Sequence, residues 1–403
     1  MRIAIVHDWL VTWGGSERVL EQLLALYPQA DLFTLVDFLP AAQRGPLAGR
    51  HVKTSFIQHL PKARTRYNSY LPLMPLAIEQ FDLSGYDLVL SSSHCVAKGV
   101  ITGPRQLHVS YIHSPMRYAW DMQHEYLRQA NLERGPRSWL VRWMLHKLRI
   151  WDARSADGVD SCIANSSFIA KRIVKSYRRN AAVIFPPVDV EKIVPGGVRE
   201  DFYVTASRLV PYKRIDLIVE AFASMPDRRL VVIGDGPELE NLRRKATPNV
   251  QLVGYQSTPV LHDYLRRAKA FVYAALEDFG IILAEAQAAG TPVVAFGQGG
   301  AREIVCGLGS ARPTGVFFEE QTVESLKRGI QRFEREAGKI DPADCRRNAE
   351  RFGTQRFREE FGSLVAELVE NFQQNQLALE PGRRVAVPVP PEGEDDVSPE
   401  FAA

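Results

Sequence analysis

The sequence predicts an α/β protein of two domains, and three observations carry that expectation. Short apolar runs of strand character alternate with helical stretches along nearly the whole chain, the pattern of βα units in open parallel sheets. The 403 residues are enough for two domains with separate cores. Midway, Pro186-Pro187 stiffens the chain and Pro195-Gly196-Gly197 loosens it, which places the boundary between Pro186 and Glu200.

Composition narrows the functions. Hydrophobic residues make up 45% and charged residues 24%, as in an ordinary globular protein. A net charge of +3 is too small for a protein built to coat nucleic acid. Cys95, Cys162, Cys306 and Cys345 lie far apart with no C-x-x-C pair, so neither a zinc site nor a disulfide framework is indicated and a reducing compartment fits. The run MRIAIVHDWL is ended by His7-Asp8 and reads as a first strand rather than a signal peptide. No stretch approaches the roughly 20 apolar residues of a membrane span. A cytoplasmic protein is expected.

In chain order, the first strand is expected at Ile3 to Val6. It leads through HDWLVTWGGSERV, whose Gly14-Gly15 precedes a helix from Ser16, the expected N-cap, to Tyr27. Paired glycines here let a ligand approach the backbone, but no G-x-G-x-x-G is present, so a dinucleotide fingerprint is missing where one would stand. Strand-like runs follow at Ala30 to Val36, Leu88 to Ser91 and His108 to Ile112. The last ends in YIHSPMRYAWD, which puts His113 just beyond the carboxyl end of a strand, where open parallel sheets bind ligands. Arg134 to Arg154 is an apolar helix with basic residues, and its Trp139, Trp143 and Trp151 admit two readings. It rests on a membrane surface, or it is a core helix whose charged side chains snorkel. Arg44, Arg50, Lys53, Lys62, Arg64 and Arg66 add positive charge to the same half, the asymmetry of a peripheral membrane protein. A strand at Ser161 to Asn165, a helix at Ser167 to Tyr177 and a strand at Ala182 to Phe185 complete the first domain.

The second domain opens with a strand at Phe202 to Ala206 running into SRLVPYKRIDLIVEAF, a loop with Arg208 and Lys213 and a helix from about Arg214. Two cations in a strand-to-helix loop suit phosphate, Arg as a fork onto two oxygens and Lys as a point charge. Leu230 to Ile233 is followed by the turn Gly234-Asp235-Gly236-Pro237, and Val250 to Val253 by Gly254-Tyr255. Then FVYAALEDFGIILAEAQAAGTPVVAF, Phe271 to Phe296, reads as one complete βαβ unit. A strand passes through a polar loop with Glu277, Asp278 and Gly280 into an Ala-rich helix carrying Glu285. That helix stops at Gly290, and Thr291-Pro292 launches the next strand. Unpaired N–H groups of Gly280, Ile281 and Ile282 and the positive end of the helix dipole form an anion site. Glu277 just before that end and Glu285 further inside would grip hydroxyls on either side of the phosphates. Beyond lie Gly299-Gly300, Arg302-Glu303-Ile304, a strand at Gly315 to Phe318, and helices at Val323 to Ala337 and Gln355 to Gln373. The Pro-, Gly- and acid-rich end reads as a disordered tail.

Taken together, Gly14-Gly15, His113, S-R-L-x-x-x-K from Ser207 to Lys213, G-D-G-P from Gly234, E-D-F-G-x-x-x-x-E from Glu277 to Glu285, G-T-P-V-V-A from Gly290 and Gly299-Gly300 with Glu303 form a recognisable set. The chain resembles the retaining GT-B-fold glycosyltransferases with the E-x7-E motif (group 1), its first half most like their bacterial mannosyltransferase-type members. The resemblance spans about residues 1 to 375, and departs at Ile281-Ile282-Leu283, where many members carry a Pro. It implies two Rossmann-like domains with parallel sheets facing a central cleft. Residues 1–190 would bind acceptor and 198–354 nucleotide sugar, with a helix at 355–379 crossing back to the first domain and a tail at 380–403.

The same resemblance implies a site. Arg208 and Lys213 would neutralise the donor diphosphate with the amides of Gly280 and Ile281, beside Phe279. Glu285 would hold the ribose and Glu277 the transferred sugar, with Tyr255 near the base. His113 and Gly14-Gly15 would reach across from the first domain. The implied donor is a nucleotide diphosphate sugar, GDP-mannose first and UDP-sugars second. The implied acceptor is a glycan or lipid-linked saccharide, with peripheral contact to anionic membrane. Neither cofactor nor metal is expected, since no D-x-D pair follows a strand. An NAD-type oxidoreductase is disfavoured by the missing fingerprint. A sugar-nucleotide epimerase of the same fold and a non-enzymatic binding protein remain as alternatives.

Overall fold

The computed structural model describes residues 1–378, and the tail expected at 380–403 lies outside the described residues. The first half forms a seven-stranded sheet, among the described residues, from β1 (Ile3–His7), β2 (Asp31–Thr34), β3 (Val52–Thr54), β4 (Leu88–Ser93), β5 (Leu107–Ile112), β6 (Ser161–Ala164) and β7 (Ala181–Val183). Its order is β3-β2-β1-β4-β5-β6-β7, with every neighbour parallel. The second half forms a six-stranded sheet from β8 (Tyr203–Ala206), β9 (Leu230–Ile233), β10 (Val250–Gly254), β11 (Ala270–Tyr273), β12 (Val293–Phe296) and β13 (Gly315–Phe318). Its order is β10-β9-β8-β11-β12-β13, again all parallel.

Both sheets are buried on both faces, which is why their strands are near-continuous apolar runs. Along β1, Ile3 and Ile5 join one core while Ala4 and Val6 join the core on the other face. Tyr203 and Val204 divide in the same way in the second half. Strand order reverses direction between β1 and β4 and between β8 and β11. These switch points open crevices at the carboxyl edges of the sheets.

The two halves are tied by chain crossings. The segment 184–202 leads out of the first domain, and Val188 N–H donates to Phe352 O at 2.9 Å where the chain returns. The helix Thr354–Ala378 then packs Phe357, Phe361 and Val365 into the core that holds Ile3, Leu20 and Tyr111.

Several boundaries differ from expectation. Gly14, not Ser16, is the N-cap of the first helix, Gly15–Leu26, because the Glu17 carboxylate accepts from the Gly14 N–H at 2.9 Å. The helix expected from about Arg214 begins at Ile215, since Arg214 adopts a left-handed φ of 52° after one tight turn, Pro211–Lys213. Strand Val52–Thr54 and the helices Leu239–Lys245, Thr258–Arg267 and Pro342–Glu350 were not anticipated. The strand has too few residues to show a period, and the helices are largely polar. The tryptophan-bearing helix, Pro136–Ser155, is not a core helix over its first turns: Trp139 is 78% and Trp143 56% exposed. Ser138, Leu145, Leu148 and Asp152 face inward, and Trp151 packs against the first-domain core with its Nε1–H donating to Glu79 Oε1 at 2.6 Å.

Candidate active site

The second-domain half of the site is built on the loops after β8 and β11, side by side at the switch point. Lys213 Nζ donates to Glu277 Oε1 at 2.5 Å and to the Tyr273 hydroxyl at 3.1 Å. Burial alone would lower the Lys213 pKa, but the Glu277 carboxylate overrides it and holds the ammonium charged. Burial likewise pushes Glu277 upward, and Lys213 and then Arg117 outweigh it and keep the carboxyl ionised. Arg208 is exposed and has no carboxylate partner among the described residues. Its loop is pressed from behind by the G-D-G-P turn, where a Cβ on Gly234 would sit 1.9 Å from Ser207 O.

The helix Ile281–Ala288 starts at Gly280, whose φ is 97°. The N–H groups of Gly280, Ile281 and Ile282 have no acceptor among the described residues, so a ready anion site faces the cleft. The Gly299-Gly300 segment supports this loop: Gly300 N–H donates to Glu277 O at 2.8 Å, and a Cβ on Gly300 would lie 2.3 Å from Phe279 O. Phe279 is buried against Phe185 and Phe352, so its ring supports the loop from beneath and does not line the cleft. Tyr255 follows the edge strand β10, 76% exposed and apart from the Lys213–Glu277 cluster.

The first-domain half is a polar cluster at the ends of β1, β4 and β5. Asp8 accepts backbone N–H groups of His94, Cys95, Val96 and Ala97 at 2.6–2.9 Å, and its carboxylate lies 3.0 Å from His94 Nδ1. Burial would raise the Asp8 pKa, yet His94 and these hydrogen bonds hold it far below the usual carboxylate range. Glu17 is drawn down to about 2 against the effect of burial, by its hydrogen bond from His7 and by its attraction to His7 and then His94. His113 Nε2 lies 2.9 Å from Ser92 Oγ, and burial drops its pKa to about 3, so the ring is neutral. Of these residues the sequence reading singled out only His113. The signal for the others is polar residues crowded at strand ends, His7-Asp8 at the end of β1 and His94 after β4.

The two halves meet. Arg18, in the first turn of the Gly15–Leu26 helix, donates to Glu285 Oε1 at 2.7 Å across the cleft. Beside it His262 Nε2 is buried without a hydrogen-bond partner, 3.8 Å from the same oxygen. A Cβ on Gly15 would stand 3.0 Å from Ile281 Cδ1. Asp278 is gripped by both Arg117 and Arg172 of the first domain, and its carbonyl accepts from Ser166 Oγ at 2.5 Å. Glu303 reaches back to cap the helix Ser167–Tyr177, accepting from Ser167 N–H at 2.8 Å and Phe168 N–H at 3.0 Å. Gly14, Gly15, Lys213, Gly280, Ile281, Glu277 and Glu285 therefore belong to one cleft, and His113 stands on its first-domain wall. Among the described residues no group of three or more His, Cys, Asp or Glu is placed to hold a metal ion.

Residues 163–352 match the family model of glycosyl transferases group 1. A D-inositol 3-phosphate glycosyltransferase of Kribbella flavida is 36% identical over 177 residues, covering 36% of this chain and 42% of that protein. A GDP-mannose-dependent alpha-(1-6)-phosphatidylinositol monomannoside mannosyltransferase of Mycobacterium tuberculosis is 31% identical over 218 residues, covering 46% and 56%. The chain thus matches about half the length of these relatives. At the level of fold, Anabaena HepE in complex with UDP superposes with a TM-score of 0.67 at 18% identity, covering 91% of this chain and 100% of that one. Sucrose-phosphate synthase of Thermosynechococcus elongatus gives 0.68 at 17% identity, covering 92% and 100%.

Proposed function

We propose that this chain, a GT-B-fold protein whose residues 163–352 belong to the glycosyl transferases group 1, moves a hexose from a nucleotide diphosphate sugar to a glycan or lipid-linked acceptor with retention of configuration. GDP-mannose is the first choice of donor, favoured by the mannosyltransferase relative, with UDP-sugars second. The observation that carries the reading is the Lys213–Glu277 contact beside the open N–H groups of Gly280 to Ile282, with Glu285 in the same cleft. In this reading Arg208, Lys213 and the helix amides receive the diphosphate, Glu285 the ribose and Glu277 the sugar hydroxyls. A ribose hydroxyl donating to Glu285 would then share that carboxylate with Arg18. The acceptor hydroxyl attacks the anomeric carbon on the face from which the diphosphate leaves. The bond from that carbon to the phosphate oxygen breaks, and the departing oxygen takes the acceptor's proton. Stabilising the leaving charge is then the main catalytic contribution, supplied by cations and peptide dipoles without a metal.

A thermal-shift panel of GDP-, UDP- and ADP-sugars tests the donor, with GDP-mannose expected to give the largest rise. Transfer that persists in EDTA and yields the retained anomer is the expected outcome. Abolition by EDTA overturns the metal-free chemistry. Conversion of free sugar nucleotide without acceptor would make the chain an epimerase, and a thermal shift without turnover a binding protein.

The Pro136–Ser155 helix supports peripheral contact with anionic membrane and hence a lipid-linked acceptor. Trp139, Leu140, Trp143 and Ile150 are exposed along one face with Lys147 among them, its Nζ 5.8 Å over the Trp143 ring. No acidic residue occurs from Pro136 to Trp151. Because β5 and β6 are parallel, the connecting helix runs back along the sheet, so its first turns lie at the cleft end. A lipid-borne saccharide would then meet the cleft at the membrane surface.

A further inference from the structure

We propose that Glu17, His7 and Ser92 form a hydrogen-bonded relay that fixes which nitrogen of His113 carries its proton, and so makes the other nitrogen an acceptor for a substrate hydroxyl. The relay stands on the geometry alone; that the hydroxyl belongs to a sugar rests on the glycosyl-transfer reading.

The chain of contacts is continuous. Glu17 Oε1 lies 3.4 Å from His7 Nε2, His7 Nδ1 lies 3.2 Å from Ser92 Oγ, and Ser92 Oγ lies 2.9 Å from His113 Nε2. His7 and Ser92 have no exposed surface and Glu17 is 5% exposed, so water does not compete for these groups. Glu17 is itself held in place: its second oxygen accepts from Gly14 N–H and Ser16 Oγ, both at 2.9 Å.

A neutral His7 gives each link one direction, whereas a charged His7 would donate from Nδ1 to Ser92 Oγ and reverse the chain. An ionised carboxylate can only accept, so His7 Nε2 carries a hydrogen. With His7 neutral, its Nδ1 is then a bare lone pair and takes the Ser92 O–H. The Ser92 oxygen, its one hydrogen spent, accepts from His113 Nε2–H. A neutral His113 protonated at Nε2 has a bare Nδ1. That atom has no hydrogen-bond partner among the described residues and is not among the buried unpartnered polar atoms, so it retains solvent contact. A carboxylate under the Gly14-Gly15 loop thus sets the polarity of a ring on the next-but-one strand. Glu17, His7 and Ser92 touch no reacting atom in this scheme and are positioning residues, which explains wholly buried polar groups in a wall otherwise built of core residues.

The test is nitrogen-15 NMR of the full chain labelled at histidine, whose two ring-nitrogen signals read the tautomer directly. His113 is assigned by the signals lost in His113→Asn. The expected result is a neutral His7 and an Nε2-protonated His113 in the wild type. In Ser92→Ala, and separately in Glu17→Gln, where the new amide can donate as well as accept, the single tautomer is expected to give way to a mixture. Transfer turnover in both variants should fall by at least about tenfold at unchanged donor KM, because the donor diphosphate contacts are untouched. An Nδ1-protonated or charged His113 in the wild type, a charged His7, or the same His113 tautomer in both variants overturns the relay. None of these readouts requires turnover except the last kinetic one. A chain that binds no nucleotide sugar would therefore sink the proposed reaction while leaving the tautomer result to be decided on its own.

Discussion

Arg208 and Lys213 occupy one loop and the same proposed role, yet the structure gives them different energetics. Arg208 is exposed and unpaired among the described residues, so Arg208→Ala is expected to change stability by no more than about 0.5 kcal/mol. Its loss should still lower kcat by about 10²–10³, as for loss of a donor aimed at developing charge. Lys213 is paired to Glu277, whose side chain is only 13% exposed. Lys213→Ala strands that carboxylate and is expected to cost about 3–5 kcal/mol of stability as well as activity. Urea unfolding and initial-rate assays on the two variants separate the effects, and equal destabilisation of both would contradict the placement. The residue types at this site were legible because a basic strand-to-helix loop and a carboxylate beside a helix start are local patterns. The partners were not. That Glu285 is held by Arg18, 267 positions away, follows from no local spacing.

At the scale of elements, the βαβ unit from β11 to β12 was readable because a strand, a glycine-capped helix and a strand each leave a periodic trace. The Pro136–Ser155 helix shows the opposite case. Its composition fits a core helix and a membrane-surface helix equally, and only the position of its neighbours leaves Trp139 and Trp143 uncovered. If that face meets lipid, the chain should sediment with phosphatidylglycerol vesicles at low salt, more weakly at high salt, and little with neutral vesicles. The pair Trp139→Ala and Trp143→Ala should weaken vesicle binding by about tenfold or more while leaving transfer to a soluble acceptor unchanged. Vesicle binding equal to wild type would remove the membrane role of this helix.

At the scale of the whole molecule, the cleft is held closed by contacts that cross it: Arg18 with Glu285, Arg117 and Arg172 with Asp278, and Glu303 with the Ser167–Tyr177 helix start. Asp278 is the hub, since it pairs with two arginines of the other domain. Asp278→Ala is therefore expected to favour an open arrangement, seen in solution scattering as a larger radius of gyration with an unchanged melting of each domain. An unchanged radius would assign closure to the crossing helix Thr354–Ala378 and its core contacts instead.

By itself the sequence determined the alternation of strands and helices, the break between two domains and the cationic and acidic residues at the strand ends, because each is written in neighbouring positions along the chain. Only the tertiary structure decided that Asp8, Glu17, His7, Ser92 and His94 belong to the candidate site, that Phe279 is a support rather than a wall, and that Trp139 and Trp143 face outward while Trp151 packs inward. Those outcomes depend on which strands lie side by side at the switch points and on how one domain covers the other, and such adjacency joins residues whose separation in sequence carries no period.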